Sequence, residues 1–315
     1  MTDKLNVIAD GVAQLPVSIA NVYFVGDPNG KWVLVDAGVP VKARIIRQAA
    51  EARFGPGSRP QCILLTHGHF DHSGSALDLA NFWDIPVYAH ALEMPYLSGK
   101  SDYPPADPTA PGFMAFLSRF FPAKTVDLSS RIRTLEAGAV PNLPDWEWVH
   151  TPGHTPGHVS FFRKSDATLL AGDAFATVNL DSPSAVLSKK QSVSLPPVPM
   201  TCDWRAASES VRKLADLHPL TLAAGHGTPM SGPAAAAELA HMAYRFPVPA
   251  HGRYTDEPAR TDERGIVSLP PPPPDRAPGI AGAMGIAAIT GAMFAIAAKR
   301  RPASGGYASL SKLRP

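Results

Sequence analysis

Cys62-Ile63-Leu64-Leu65-Thr66-His67-Gly68-His69-Phe70-Asp71-His72 is the stretch whose reading decides the fold. Its apolar start reads as a buried strand. The side chains of His67, His69, Asp71 and His72 follow within six residues, on the loop at that strand's end. A strand alternates its side chains between two faces, whereas a tight loop can turn all four toward one point. Imidazole and carboxylate are borderline-to-hard donors that suit zinc, and also iron or manganese. The bland alternative is a polar loop of satisfied histidines. The density of ligand types, and the further partners downstream, weigh against it.

Those partners also sit at strand ends. Trp146-Glu147-Trp148-Val149-His150 reads as a strand, and Thr151-Pro152-Gly153-His154 follows it. Gly172-Asp173 closes the apolar run Thr168-Leu169-Leu170-Ala171, and Gly225-His226-Gly227 closes Leu220-Thr221-Leu222-Ala223-Ala224. Taken singly, Asp173 reads as a turn residue, His226 as a satisfied core histidine and His154 as a loop cap. Taken together, strand-end loops on a rigid sheet are where precise sites are built.

With these motifs in this order, the chain closely resembles the metallo-β-lactamase-fold hydrolase superfamily over roughly residues 5–245. The resemblance implies an α/β fold, a four-layer αββα sandwich with the site along the edge between the sheets. It implies that His67, His69 and His154 bind a first metal, that Asp71, His72 and His226 bind a second, and that Asp173 bridges them. The flavodiiron branch carries Glu where this chain has His69, and the zinc β-lactamases often carry Cys where it has Asp173. The ligand set therefore favours a hydrolytic site with two zinc ions per chain, while spacing leaves iron and manganese open. Water bound to zinc loses its proton near neutral pH, so a hydroxide between the metals is the expected nucleophile. Asp71 is the expected catalytic residue, orienting that nucleophile and carrying a proton toward the leaving group. Asp36 is expected close to the metals without binding them, with a plain turn aspartate as the equal alternative. His158, which begins a strand, is expected to support the site rather than to ligate.

The expected reaction is cleavage of an ester-like bond (lactone, ester or thioester) in a small molecule. Thr151-Pro-Gly-His-Thr-Pro-Gly-His158 is similar to the N-acyl homoserine lactonase branch. That branch often places a Tyr three residues after the bridging Asp. Here the position is Ala176, preceded by Phe175, so a lactone would need another proton donor. The alternatives are a glyoxalase-II-like thioesterase, whose C-terminal region the tail here does not resemble, an iron-dependent sulfur dioxygenase, and a non-catalytic membrane-tethered metal-binding protein.

Composition bounds the rest. The chain has 315 residues, 45% of them hydrophobic, and a formal net charge of +2. That supports one sizeable core and gives no electrostatic footprint for nucleic acid. The two cysteines, Cys62 and Cys202, occupy contexts that do not suggest a pair, which points to a reducing compartment. The N-terminus has neither a basic start nor a long apolar run, so the catalytic domain is expected in the cytoplasm.

The hydrolase domain is expected over 1–246. Helices are expected at 41–54, 73–83, 204–217 and 233–245. An insertion at 96–128 carries the apolar patch Phe113, Met114, Phe116, Leu117, Phe120 and Phe121, read as a lid or a surface helix. The stretch 177–202 is a second candidate wall. Residues 247–279 read as a proline-rich linker without a core of its own. Ile280 to Ala298 carries no charge and precedes Lys299-Arg300-Arg301, a candidate membrane helix of marginal apolarity before a basic tail at 299–315. By the positive-inside rule that basic flank would put the C-terminus in the cytoplasm, at odds with a single span after a cytoplasmic domain.

Overall fold

The structure is a computed structural model and describes residues 5–27, 30–122 and 124–275. The expected membrane helix and basic tail lie outside the described residues. A first sheet runs in chain order through β1 (Asn6–Ala9), β2 (Val12–Val17), β3 (Ala20–Gly26), β4 (Trp32–Val35), β5 (Ile63–Leu64), β6 (Val87–Ala89) and β7 (Ile132–Thr134). It is antiparallel from β1 to β4 and parallel from β4 to β7. The parallel half is joined by helices: α1 (Ala43–Phe54) between β4 and β5, then α2 (Phe70–Ser73) and α3 (Ala76–Trp83) between β5 and β6. The insertion contributes the short α4 (Met94–Leu97) and α5 (Phe113–Leu117).

The second sheet starts with β8 (Trp146–His150), β9 (Val159–Arg163) and β10 (Thr168–Gly172). After a small hairpin, β11 (Ala176–Val178) and β12 (Gln191–Ser194), with α6 (Pro183–Ser188) between its strands, it is completed by β13 (Thr221–Ala224) and β14 (Met230–Ser231). Its order is β14-β13-β10-β9-β8, and only the β10–β13 pair is parallel. Helices α7 (Trp204–Ala215) and α8 (Pro233–Tyr244) flank β13 in sequence.

The layers follow from strand periodicity. In β3 and β4, Val22, Phe24, Trp32 and Leu34 point to one side and pack with Ile46 and Ala50 of α1 and Leu79, Ala80 and Trp83 of α3. Their neighbours Tyr23, Val25, Val33 and Val35 point to the other side and meet Val159, Phe161, Leu170 and Ala223 of the second sheet. On that sheet's far side, Phe162, Leu169, Leu222 and Ala224 pack with Val211 and Leu214 of α7 and Leu239 and Met242 of α8. A side-chain period of two sends alternate residues to opposite faces, and here both faces are apolar. The result is the αββα sandwich. A fully buried side chain such as Phe24 contributes about 1.5–3 kcal/mol through this packing.

The long helices fall where the periodicity placed them, with ends trimmed by one or two residues. The helix expected over 73–83 starts only at Ala76, because Ser73 belongs to α2, where its hydroxyl donates to the carbonyls of Gly68 and His69. One boundary needs correction. Residues 247–274, expected as a linker without a core, belong to the compact unit that ends at Pro274. They form a hairpin, β15 (Arg260–Asp262) and β16 (Gly265–Ser268). Tyr254 and Ala259 are buried with Val198, Cys202 and Trp204. The composition of this segment is that of a linker, but its few apolar residues have a cluster to join. Among the described residues, no helix is long and apolar enough to cross a membrane.

Candidate metal centre

Parallel neighbours deliver their C-terminal loops to the same sheet edge. β4 and β5 bring Asp36 beside Thr66, and β10 and β13 bring Asp173 beside His226. His154 arrives on the loop between β8 and β9, and the backbone N–H of Val159 donates to the Thr66 carbonyl, tying that loop to the His67 strand. The two sheets are stitched at this edge by the N-terminal hairpin. The Asn21 amide donates to the carbonyls of Ala224 and Gly227, the Asn21 backbone N–H to Gly225, and the Tyr23 hydroxyl to Ala224.

All seven expected ligands converge. His67, His69 and His154 form one group, Asp71, His72 and His226 a second, and His67, His72 and Asp173 a third; within each, the donor atoms lie within 4.8 Å of one another. His69 Nδ1 and His154 Nε2 are 2.9 Å apart. Asp173 Oδ2 lies 3.2 Å from His226 Nε2, 3.4 Å from His154 Nε2 and 3.5 Å from His72 Nε2, so one oxygen reaches histidines of two groups. Three buried polar atoms in the cluster have no hydrogen-bond partner: His67 Nε2, His72 Nε2 and Asp173 Oδ1. Buried donors and acceptors are almost always satisfied. Orphaned imidazole nitrogens facing carboxylate oxygens fit a bound cation.

The histidines are aimed by what holds their other nitrogens. His72 Nδ1 donates to Asp36 Oδ2 at 2.8 Å, and His226 Nδ1 donates to the Ile19 carbonyl at 2.7 Å. Each ring then presents Nε2 to the centre, the usual orienting device for a metal-binding histidine. Asp36 also accepts from the Thr66 backbone N–H and hydroxyl. Its backbone sits at φ 59°, a left-handed conformation that aspartate tolerates better than most residues. Asp36 is therefore no idle turn residue. His158 lies outside the ligand groups. Its Nε2 accepts from the Asp173 backbone N–H, and its Nδ1 meets the Thr151 hydroxyl.

The family model described as the metallo-beta-lactamase superfamily matches residues 15–226, from the N-terminal hairpin to the last histidine of the cluster. The chain belongs to this superfamily. Over 242 residues it is 47% identical to a Bacillus subtilis protein named probable metallo-hydrolase YflN, a match covering 76% of this chain and 92% of that one. A Haemophilus influenzae protein named hydroxyacylglutathione hydrolase GloC is 28% identical over 111 residues, covering 35% of the chain and 48% of its own length. A beta-lactamase domain protein from Burkholderia ambifaria shares the fold with a TM-score of 0.54 at 20% identity, over 78% of this chain and 77% of that one. The chain is a metallo-hydrolase of the metallo-β-lactamase superfamily.

The electrostatics of this cluster divide by group. Burial, reinforced by the neighbouring histidines, pushes His67 and His154 well below the ordinary histidine pKa. Burial takes His69 to about 3. That direction favours the neutral ring in all three, the form that can bind a metal. For His72 and His226 burial acts downward too, but the carboxylates of Asp173 and Asp71 outweigh it and raise both. Asp71 is the candidate ligand with the most open side chain, 12% exposed against 8% for His226, so the centre opens to solvent on that side.

Several residues of the site escaped the sequence. The Ile19 carbonyl carries no sequence signal. Glu93 is fully buried and touches both histidine-bearing loops, and the Tyr103 ring lies 4.6 Å from the His69 ring. A lone carboxylate within Ala91-Leu92-Glu93-Met94-Pro95-Tyr96-Leu97 was the available clue, since carboxylates rarely sit buried unless partnered. The insertion packs beside the centre: Phe121 lies on Phe70, the residue between His69 and Asp71, with ring centroids 5.9 Å apart. Its helix α5 meets the stretch after Asp173 through the Met114 backbone N–H, which donates to Asp181.

Proposed function

We propose that this metallo-hydrolase holds two zinc ions and cleaves an ester-like bond, a lactone, ester or thioester, in a small molecule. The observation that carries the reading is the position of Asp173 Oδ2 between histidines of two ligand groups. That is where one carboxylate can serve two cations. His67, His69 and His154 would hold one ion, Asp71, His72 and His226 the other, with Asp173 shared. The donor set of imidazole and carboxylate without thiolate suits zinc. Bound there, two zinc ions supply Lewis acidity, which lowers the pKa of water and polarises a carbonyl.

The remaining work falls to the chain's own residues. Asp71 stands at the open side, where its second oxygen can take a proton from water and return it to a leaving group. No tyrosine follows Asp173 at the third position. Ala176 and Phe175 are both buried in and beside β11 and offer no proton, and we assign the proton carrier's role to Asp71. Asp36 and the Ile19 carbonyl keep His72 and His226 from rotating. We read the 96–128 insertion as a lid whose Phe121 supplies an apolar wall beside Phe70. Thioesters belong in the substrate class because one relative bears the name hydroxyacylglutathione hydrolase.

The test is purified chain with its metal content measured, offered panels of lactones, esters, thioesters and phosphodiesters. Two zinc ions per chain and chelator-sensitive cleavage of a carboxylic ester-like bond are expected. One iron per chain with oxygen consumption, or cleavage of phosphodiesters alone, would overturn the reading.

A further inference from the structure

Glu93 has no part in the chemistry above, yet its carboxylate accepts from four partners. It ends the short 3-10 turn Ala91–Glu93 and is fully buried. Its Oε1 accepts from the Thr155 hydroxyl at 2.7 Å and the Gly157 backbone N–H at 2.8 Å. Its Oε2 accepts from the Gly68 backbone N–H at 2.9 Å and from the Tyr103 hydroxyl. Gly68 separates His67 from His69, and Thr155 follows His154. One carboxylate therefore joins the loop that carries two histidines of a ligand group to the loop that carries the third.

The approach is close enough to constrain the sequence. A Cβ on Gly68 would lie 2.5 Å from the Tyr103 hydroxyl and 2.6 Å from a Leu97 methyl, so only glycine fits under this contact. Tyr103 is held in turn by stacking on Tyr96, with ring centroids 4.1 Å apart. Every partner of Glu93 is a donor. A carboxylate is the one side chain of this size that accepts on both arms without offering a donor of its own.

We propose that Glu93 is a positioning residue for the metal held by His67, His69 and His154: it sets the spacing of the two loops, and so the affinity of that trio, without touching the metal. The proposal rests on the reading that the trio binds a metal. A brace that merely stabilised the fold would act on both metals alike, or on neither. A brace specific to the trio separates them.

The experiment is competition of zinc, and of cobalt as a spectroscopic substitute, against a chromogenic chelator, with no substrate present. The proteins are full-length wild type, Glu93→Gln, Tyr103→Phe and Thr155→Val. In Glu93→Gln one arm becomes an NH2 facing two donors. The expected result is a loss of affinity for one of the two metals of about 10- to 100-fold, with the other changed less than about 3-fold. The cobalt spectrum of the weakened position should also change. Tyr103→Phe and Thr155→Val, which each remove one donor, weaken the same metal by a smaller factor and keep the test alive if Glu93→Gln does not fold. Equal affinities across wild type and all three variants, or a lowered melting temperature of the metal-free chain with both affinities unchanged, overturns the proposal. If wild type binds metal but cleaves no ester-like bond, the functional reading fails and this one stands. If wild type binds none, both fall.

Discussion

Under the proposed function Asp71 would carry two duties at one side chain. It approaches His226 Nε2 at 3.5 Å and His72 Nε2 at 3.9 Å, and it is the carboxylate of the centre nearest to solvent. Removing it would take away a proposed ligand and proton carrier together, while leaving the core below untouched. For Asp71→Ala the expected outcome is a fall in turnover of about 10²- to 10⁴-fold, with far-UV circular dichroism unchanged. Metal content measured on the same sample tells the duties apart, and wild-type turnover would end the assignment. Gly225 makes the opposite point, that a residue with no side chain can be as constrained as a ligand. A Cβ there would sit 2.1 Å from Asp173 Oδ1 and 2.6 Å from His72 Cε1. Gly225→Ala is therefore expected to lower metal content and to cost about 1–3 kcal/mol of stability by overpacking, read by chelator titration and urea unfolding. At this scale the seven converging residues were legible because each is a polar ligand type at the end of an apolar run. Ile19 and Glu93 were not. A backbone carbonyl leaves no trace in a sequence, and a lone buried glutamate looks like any other until its donors are seen.

Elements tell where the domain ends. Phe246 closes the last long helix region, and the proline and charge beyond it read as spacer. The structure instead straps this segment across the insertion. Asp107 Oδ2 accepts from the Arg253 backbone N–H, Asp107 itself donates its backbone N–H to Pro199, and the Tyr254 hydroxyl donates to Pro105. The expected truncation that leaves the hydrolase intact thus falls after Pro274, with a melting temperature within about 2 °C of full length. Stopping after Phe246 removes Tyr254 and Ala259 from the Val198–Cys202–Trp204 cluster. Burying Tyr254 contributes about 2 kcal/mol. A drop of roughly 5 °C or more is expected for that shorter chain. Equal melting temperatures for the two truncations would show that the strap is idle. The strands and long helices were readable from their periods because both faces of both sheets are apolar. The strap was not, because a segment anchored by two or three side chains and by backbone donors has no period to read.

At the scale of the whole hydrolase domain, the two large sheets meet at one edge, and the candidate ligands come from both. His67, His69, Asp71 and His72 belong to loops of the first sheet; His154, Asp173 and His226 belong to the second. Metal bound there is a cross-link between halves, and whatever binds only the folded chain stabilises it by mass action. Stripping metal with a chelator is expected to lower the melting temperature by about 5–10 °C, a stabilisation of roughly 3–4 kcal/mol at a thousandfold excess over Kd. Restoring zinc should restore it. An unchanged melting temperature would mean that the sheets close without help. The stitching of Asn21 and Tyr23 to Ala224 and Gly227 has a further consequence, in time rather than in space. These partners are 201 to 206 residues apart. At a ribosomal rate of about 5–20 residues per second, the first hairpin waits roughly 10–40 seconds for the strand end it must clasp. Until then His67 and His69 are a fragment of a site on an unfinished chain. Any product of interrupted translation that stops before Ala224 lacks both the clasp and the last histidine, so under the proposed function a full complement of metal would mark a chain made at least as far as His226.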